Sequence, residues 1–313
     1  MVAEPTRAAI AGAAVIPAAL LAANIIVPAK PAKKTRYSRA YIAGPGIFLA
    51  GNATSFNQFH NRDLFGCEWF GSHRTGIVEG TRRRDEAAAV KALRERHLAI
   101  FRRHMVDVIT IHADLSSEEI GKPALDERVL NVMREVPRHL FVPAAVAAAA
   151  YQDMPLPIGF DKTISQPFMA ALMTDLLNLE SGDEVLEVGS GLGYQTAILA
   201  HLAGRVWSVE IIEEFVSVAE ARLRLVGIEN VKLRVGDGSR GWAEHAPFDK
   251  ILVAAAAKEV PRALIEQLKP GGRLVMPLGL AEAQRLTLLE KGADGIQRRE
   301  LMSVRFAELE TGA

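Results

Sequence analysis

The stretch Val185-Leu186-Glu187-Val188-Gly189-Ser190-Gly191-Leu192-Gly193-Tyr194 constrains the fold of this chain more than any other segment. The residues up to Val188 read as a buried strand, the alternating glycines as a tight turn, and residues 196–202 as the helix that follows. Glycine lets the backbone pass close to a bound group, and the helix behind it aims unpaired N–H groups at the same place. The spacing is E-x-G-x-G-x-G, headed by Glu187, and differs from the G-x-G-x-x-G that seats a dinucleotide pyrophosphate. Taken alone, the pattern also suits a strand–helix turn with no ligand.

The surrounding residues repeat the unit. Strands are predicted at 184–188, 206–210, 231–235, 249–254 and 273–277, with helices beginning near Tyr194, Ile212 and Val260 between them. A β-α repeat of this kind predicts a doubly wound, mostly parallel α/β sheet of the Rossmann-like type. Two further runs, 285–289 and 301–309, are separated by Gly292 and Gly295 with no helix, which predicts an antiparallel edge pair and a seven-stranded sheet. Upstream, 125–136 reads as a helix with Val129, Val132 and Met133 on one face, and Pro137 and Pro143 bracket a turn containing Phe141. Pro155, Pro157 and Gly159 predict a rigid loop. Ser165-Gln166-Pro167 then opens a helix through Leu177, with Ser165 near its N-cap and Pro167 in its first turn. Between 82 and 112, Val90, Leu93, His97, Phe101, Met105 and Val108 recur at three and four, predicting an amphipathic helix.

The chain divides into an irregular extension, 1–80, and a domain, 81–313, made of a helical cap and substrate loop (81–160) and a ligand-binding core (161–313). Within the extension, residues 8–29 carry no charge and are followed by Lys30, Lys33, Lys34, Arg36 and Arg39. That run is long enough to span a bilayer, but it is alanine-rich and contains Pro17 and Asn24. Three readings stand: a poorly ordered tail, an anchor that keeps the remaining chain cytoplasmic, or a start assigned too far upstream. A cleaved signal is disfavoured, because only Arg7 precedes the apolar run. Lys plus Arg and Asp plus Glu are 37 each, so there is no net field to draw nucleic acid. The single Cys67 excludes an internal disulfide, and the eight histidines lack metal-ligand spacing, so no metal is expected; His60, Cys67 and His73 read as scattered loop residues.

Chemistry collects at the predicted strand ends. The E-x-G-x-G-x-G pattern is similar to that of methyltransferases that bind S-adenosylmethionine, which makes Glu187, Gly189, Ser190, Gly191 and Gly193 candidate contacts. Glu210 ends the second strand, where a carboxylate accepts both ribose hydroxyls of a nucleoside, and Asp237-Gly238 follows the third, where the adenine edge lies. Ligands of open α/β sheets sit at the carboxyl ends of the strands. Glu210 on its own is equally well an exposed strand-end acid.

Other segments carry a family resemblance. Val136-Pro137-Arg138-His139-Leu140-Phe141-Val142-Pro143, Tyr151-Gln152-Asp153-Met154-Pro155-Leu156-Pro157-Ile158-Gly159 and Thr163-Ile164-Ser165-Gln166-Pro167-Phe168-Met169 resemble the protein-L-isoaspartate O-methyltransferase family. So do Val235-Gly236-Asp237-Gly238 and Leu268-Lys269-Pro270-Gly271-Gly272-Arg273-Leu274. The resemblance implies that Ser165 is the active-site residue on the substrate carboxylate, and that Gln166, Pro167, Phe168 and Met169 border the donor. It also implies methylation of the α-carboxylate of L-isoaspartyl residues in damaged proteins, with S-adenosylmethionine as co-substrate. Two departures stand out. Asp161-Lys162 replaces the usual Gly-Gln pair, and Phe306-Ala307-Glu308-Leu309 replaces Phe-Val-Pro-Leu.

The leading expectation is therefore a cytoplasmic repair methyltransferase acting on isoaspartyl proteins and peptides, with no nucleic-acid partner and membrane contact only through 8–29. One alternative is a carboxyl methyltransferase dedicated to one maturing peptide. The other is a non-catalytic, membrane-tethered binding module.

Overall fold

The computed structural model describes residues 75–280 and 283–312, with side chains from residue 93. The apolar run 8–29, His60, Cys67 and His73 lie outside the described residues. The described residues belong to a unit running from Phe70 to Ala313.

The chain enters on α1 (Thr75–Leu115), α2 (Ser117–Ile120) and α3 (Glu127–Glu135). Asp126 starts α3 by accepting the Arg128 amide at 2.8 Å, which satisfies one of the free N–H groups of the first turn. A hairpin, β1 (Leu156–Gly159) and β2 (Lys162–Ile164), leads into α4 (Pro167–Leu177). The alternating units then follow: β3 (Glu184–Val188), α5 (Tyr194–Leu202), β4 (Arg205–Glu210), α6 (Glu213–Leu225), β5 (Val231–Val235) and β6 (Phe248–Val253). After α7 (Arg262–Glu266) come β7 (Leu268–Leu278), β8 (Gln284–Gly292) and β9 (Gly295–Val304).

The seven long strands form one sheet in the order β5-β4-β3-β6-β7-β8-β9, parallel from β5 to β7, with β8 antiparallel to both of its neighbours. The expected doubly wound sheet with an antiparallel edge is present. Successive side chains face opposite sides. Val185, Val206 and Leu252 join the core under α4 and α5, while Leu186, Trp207 and Ile251 join the core on the other face. Covered on both faces, the central strands have no polar side to show, which is why they read as near-continuous apolar runs. Helix α4 is buried at every position, held between the sheet and the α1–α3 layer.

Four local expectations change. The buried line of α1 is Arg102, Met105, Val106, Ile109 and Ala113, whereas Leu93 and Phe101 are each 56% exposed. Apolar residues recur on more than one side of this helix, and contact with α3 and α4 selects which side is covered. The proline loop is the hairpin β1–β2. Its two turn residues, Phe160 and Asp161, have φ of 51° and 56°, the left-handed pair that a two-residue hairpin turn requires. Gln166, not Ser165, precedes the first residue of α4. The last strand ends at Val304, and the residues beyond it leave the sheet.

Candidate active site

The chain reverses its strand order between β3 and β6, and a crevice opens at the carboxyl ends of strands that flank such a point. A cavity of about 570 Å³ lies there, within the range of small-molecule sites. One end is built on the glycine turn. Gly189, Gly191 and Gly193 have φ of 90°, 52° and 94°, conformations that a side chain would strain. Gly238 has a different reason, since a Cβ there would come within 2.2 Å of Val188 Cγ1.

Glu210 sits at the tip of β4 and lines this cavity. Its Oε2 accepts the Gly191 amide at 2.9 Å and its Oε1 accepts the Ile212 amide at 3.0 Å. Two backbone donors thus fix the carboxylate, and each oxygen keeps a lone pair for a hydroxyl. The Ser190 hydroxyl beside it is buried with no partner among the described residues. A buried polar atom of that kind marks a place where a ligand completes the hydrogen bonding.

The rest of the cavity is lined by the hairpin, by Ser165, Gln166, Phe168 and Met169, and by the chain from Arg305 to Glu310. Ser165 is held through its carbonyl, which accepts Arg138 Nη2 at 2.7 Å. Arg138 is fully buried, also donates to the Ala150 carbonyl at 2.8 Å, and lies 4.7 Å from the Tyr194 ring centroid. Burial lowers the pKa of its guanidinium, and Nη1 has no partner among the described residues. The Ser165 hydroxyl makes no hydrogen bond among the described residues, so it is available to an acceptor. Asp153 does the capping: it accepts the Phe168 amide at 2.8 Å, Gln166 Nε2 at 2.9 Å and His112 Nδ1 at 2.9 Å.

Of the residues expected from sequence, Ser165, Gln166, Phe168, Met169, Gly189, Ser190, Gly191, Glu210 and Gly238 come together around the one cavity. Pro167, Glu187, Gly193 and Asp237 are not on its walls. Pro167 opens α4. A Cβ on Gly193 would meet Ala219 Cβ at 3.3 Å, so this glycine lets α5 pack against α6. Glu187 is fully buried beneath the turn, where its Oε2 accepts the hydroxyls of Thr196 and Ser208 at 2.6 Å each. Burial pushes its pKa up to about 7 against those two hydrogen bonds. Asp237 accepts the Ser239 amide and hydroxyl and the Gly312 amide. Burial pulls its pKa upward, but the Ser239 and Gly312 bonds and nearby Arg240 hold it below the usual aspartate value.

Sequence reasoning missed Asp153, Arg138 and His112. The first two stand inside the quoted motifs, where a polar residue beside prolines was a usable signal. His112 carries none. It lies far from Ser165 in sequence, on a helix whose buried face was read differently. Among the described residues no group of three or more His, Cys, Asp or Glu is placed to hold a metal ion.

A seven-stranded sheet with an antiparallel β7–β8–β9 edge, an E-x-G-x-G-x-G turn after β3 and an acid at the tip of β4 is the arrangement of the Rossmann-like S-adenosylmethionine-dependent methyltransferases. The family model "Protein-L-isoaspartate(D-aspartate) O-methyltransferase (PCMT)" matches residues 112–312, and the chain belongs to that family. A protein-L-isoaspartate O-methyltransferase of Polaromonas sp. (strain JS666) is 51% identical over 69% of this chain and 92% of its own. A solved protein-L-isoaspartate O-methyltransferase superposes with a TM-score of 0.58 at 28% identity, over 66% of this chain and 65% of that one. A Plasmodium falciparum structure in complex with S-adenosyl-L-homocysteine shares the fold, with a TM-score of 0.56 at 24% identity over 67% of this chain and 98% of that one.

Proposed function

We propose that this protein transfers the methyl group of S-adenosylmethionine to the α-carboxylate of L-isoaspartyl residues in damaged proteins and peptides. One observation carries the reading. A single cavity joins a nucleoside-type end, Glu210 with the glycine turn, to an end where the Ser165 hydroxyl is free. When bound, the donor supplies a methyl carbon on a positively charged sulfur. The Glu210 carboxylate, fixed by the Gly191 and Ile212 amides, accepts the donor's ribose hydroxyls, and Gly238 lies beside it where the adenine would sit. The Ser165 hydroxyl donates to the acceptor carboxylate and fixes the direction of its attacking oxygen. A carboxylate is ionised at neutral pH, so no side chain needs to remove a proton. The hairpin and the tail crossing from Arg305 to Glu310 exclude water.

If residues 8–29 insert into a membrane, Lys30, Lys33, Lys34, Arg36 and Arg39 after them keep this domain on the cytoplasmic side. Among the described residues no helix is long and apolar enough to cross a membrane.

The test is methyl transfer to a generic isoaspartyl peptide compared with its aspartyl twin. Transfer to the isoaspartyl form alone is expected. In the same assay Ser165→Ala should keep donor affinity and lose most of its turnover. Equal labelling of the twins, or none of either, would overturn the reading.

A further inference from the structure

His112 lines the same cavity from helix α1. Its ring stacks on Phe168, with centroids 4.2 Å apart and planes 16° from parallel. Phe168 lies in the first turn of α4, three residues beyond Ser165, so His112 stands at the Ser165 end of the cavity. Its Nδ1 is 2.9 Å from an oxygen of Asp153, a side chain only 9% exposed, while the histidine side chain is 38% exposed. The ring is therefore fixed on one face and at one nitrogen, and open at its other edge. The Nε2 atom makes no hydrogen bond among the described residues.

We propose that His112 is an acceptor-binding residue whose Nε2 accepts a hydrogen bond from a backbone N–H of the peptide beside the isoaspartyl unit. The assignment follows from the partner of the first nitrogen. An aspartate carboxylate only accepts, so Nδ1 is the donor and Nε2 of the neutral ring is the acceptor. A peptide chain entering the cavity mouth carries such N–H groups on either side of its reacting carboxylate. Asp153 also holds the Gln166 side chain and the Phe168 amide, which keeps His112 in register with the turn that carries Ser165. A bond to the peptide backbone has the same strength before and during methyl transfer, because no charge changes at that atom. Such a contact shows in KM and leaves kcat alone.

The inference rests on the isoaspartyl reading above, and the experiment separates the two. His112→Phe retains the stack on Phe168 and loses the polar edge, while His112→Gln restores a side-chain oxygen. Steady-state kinetics with an isoaspartyl peptide, donor affinity by calorimetry and melting temperature are measured for both variants and the wild type. His112→Phe should raise the peptide KM roughly fivefold to tenfold, the weight of one hydrogen bond, with kcat within about twofold. Its donor affinity should match wild type, and His112→Gln should recover most of the KM. An unchanged peptide KM in an active His112→Phe enzyme overturns this proposal alone. A parallel loss of donor affinity or of melting temperature also overturns it, because His112 would then only brace α4. An inactive wild type overturns the functional reading and this inference with it.

Discussion

Glu187 heads the glycine turn, and its chemistry is set by burial. The side chain is fully enclosed, both nearby hydroxyls bond Oε2, and Oε1 has no partner among the described residues. In an unfolded chain the carboxyl titrates near 4.5, and burial in the fold raises this to about 7. The folded protein therefore retains a proton over a range where the unfolded chain has released it. The resulting stability is complete below about pH 4.5 and is lost as pH rises through about 7, amounting to about 3 kcal/mol. Glu187→Gln keeps an oxygen for Thr196 and Ser208 and removes the titration. The melting-temperature advantage of wild type over this variant should shrink between pH 5 and pH 8. An advantage that is the same at both values would show that Glu187 does not titrate in this window. In sequence Glu187 reads as a ligand contact, since spacing places it beside the turn but cannot show that its side chain turns inward.

At the scale of elements, the hairpin and the C-terminal tail meet over the cavity. Asp161 occupies a left-handed position, φ 56°, which aspartate tolerates better than most residues and which suits the glycine usual in the family. The neighbouring Lys162 pairs with Glu310 at 2.5 Å, with the two side chains 23% and 54% exposed. An ion pair in water contributes about 0–1 kcal/mol. The backbone ties of the tail are more numerous. The Ala256 amide donates to the Ala307 carbonyl at 2.8 Å, the Leu309 amide donates to the Ala256 carbonyl at 2.7 Å, and Gln284 bonds Phe306 in both directions. Lys162→Ala should therefore change donor affinity by less than about threefold. A chain ending at Val304 should stay folded but lose roughly tenfold or more, because a wall of the cavity goes with residues 305–310. Calorimetry with S-adenosylmethionine distinguishes these outcomes. Undiminished binding by the shortened chain would mean the tail covers the acceptor alone.

For the whole molecule, the packed core among the described side chains, which start at Leu93, begins part-way along α1. From residue 93 to 101 no side chain is buried, and the first buried positions are Arg102, Met105 and Val106. A chain beginning at Arg82 should consequently fold and bind S-adenosylmethionine as the full chain does. Melting temperature and calorimetry check this, and cell fractionation of both chains reports whether residues 1–81 direct the protein to a membrane. An insoluble shortened chain would show that the preceding residues cover core surface.

The parallel sheet, the glycine turn and the acid at the tip of β4 were legible in the residues alone. Each is a local pattern: apolar runs wherever a strand is covered on both faces, and glycine wherever backbone conformation or close approach excludes a side chain. For Ser165 and its neighbours the guide was the family resemblance of the 163–169 motif. Which side of α1 is buried, that Asp153 rather than Ser165 caps α4, that Glu187 lies under the turn, and that His112 stacks on Phe168 in the cavity wall emerge only from the folded chain. These depend on which distant segments pack together. Helical periodicity marks several faces of α1 as apolar, and contact with α3 and α4 covers one of them.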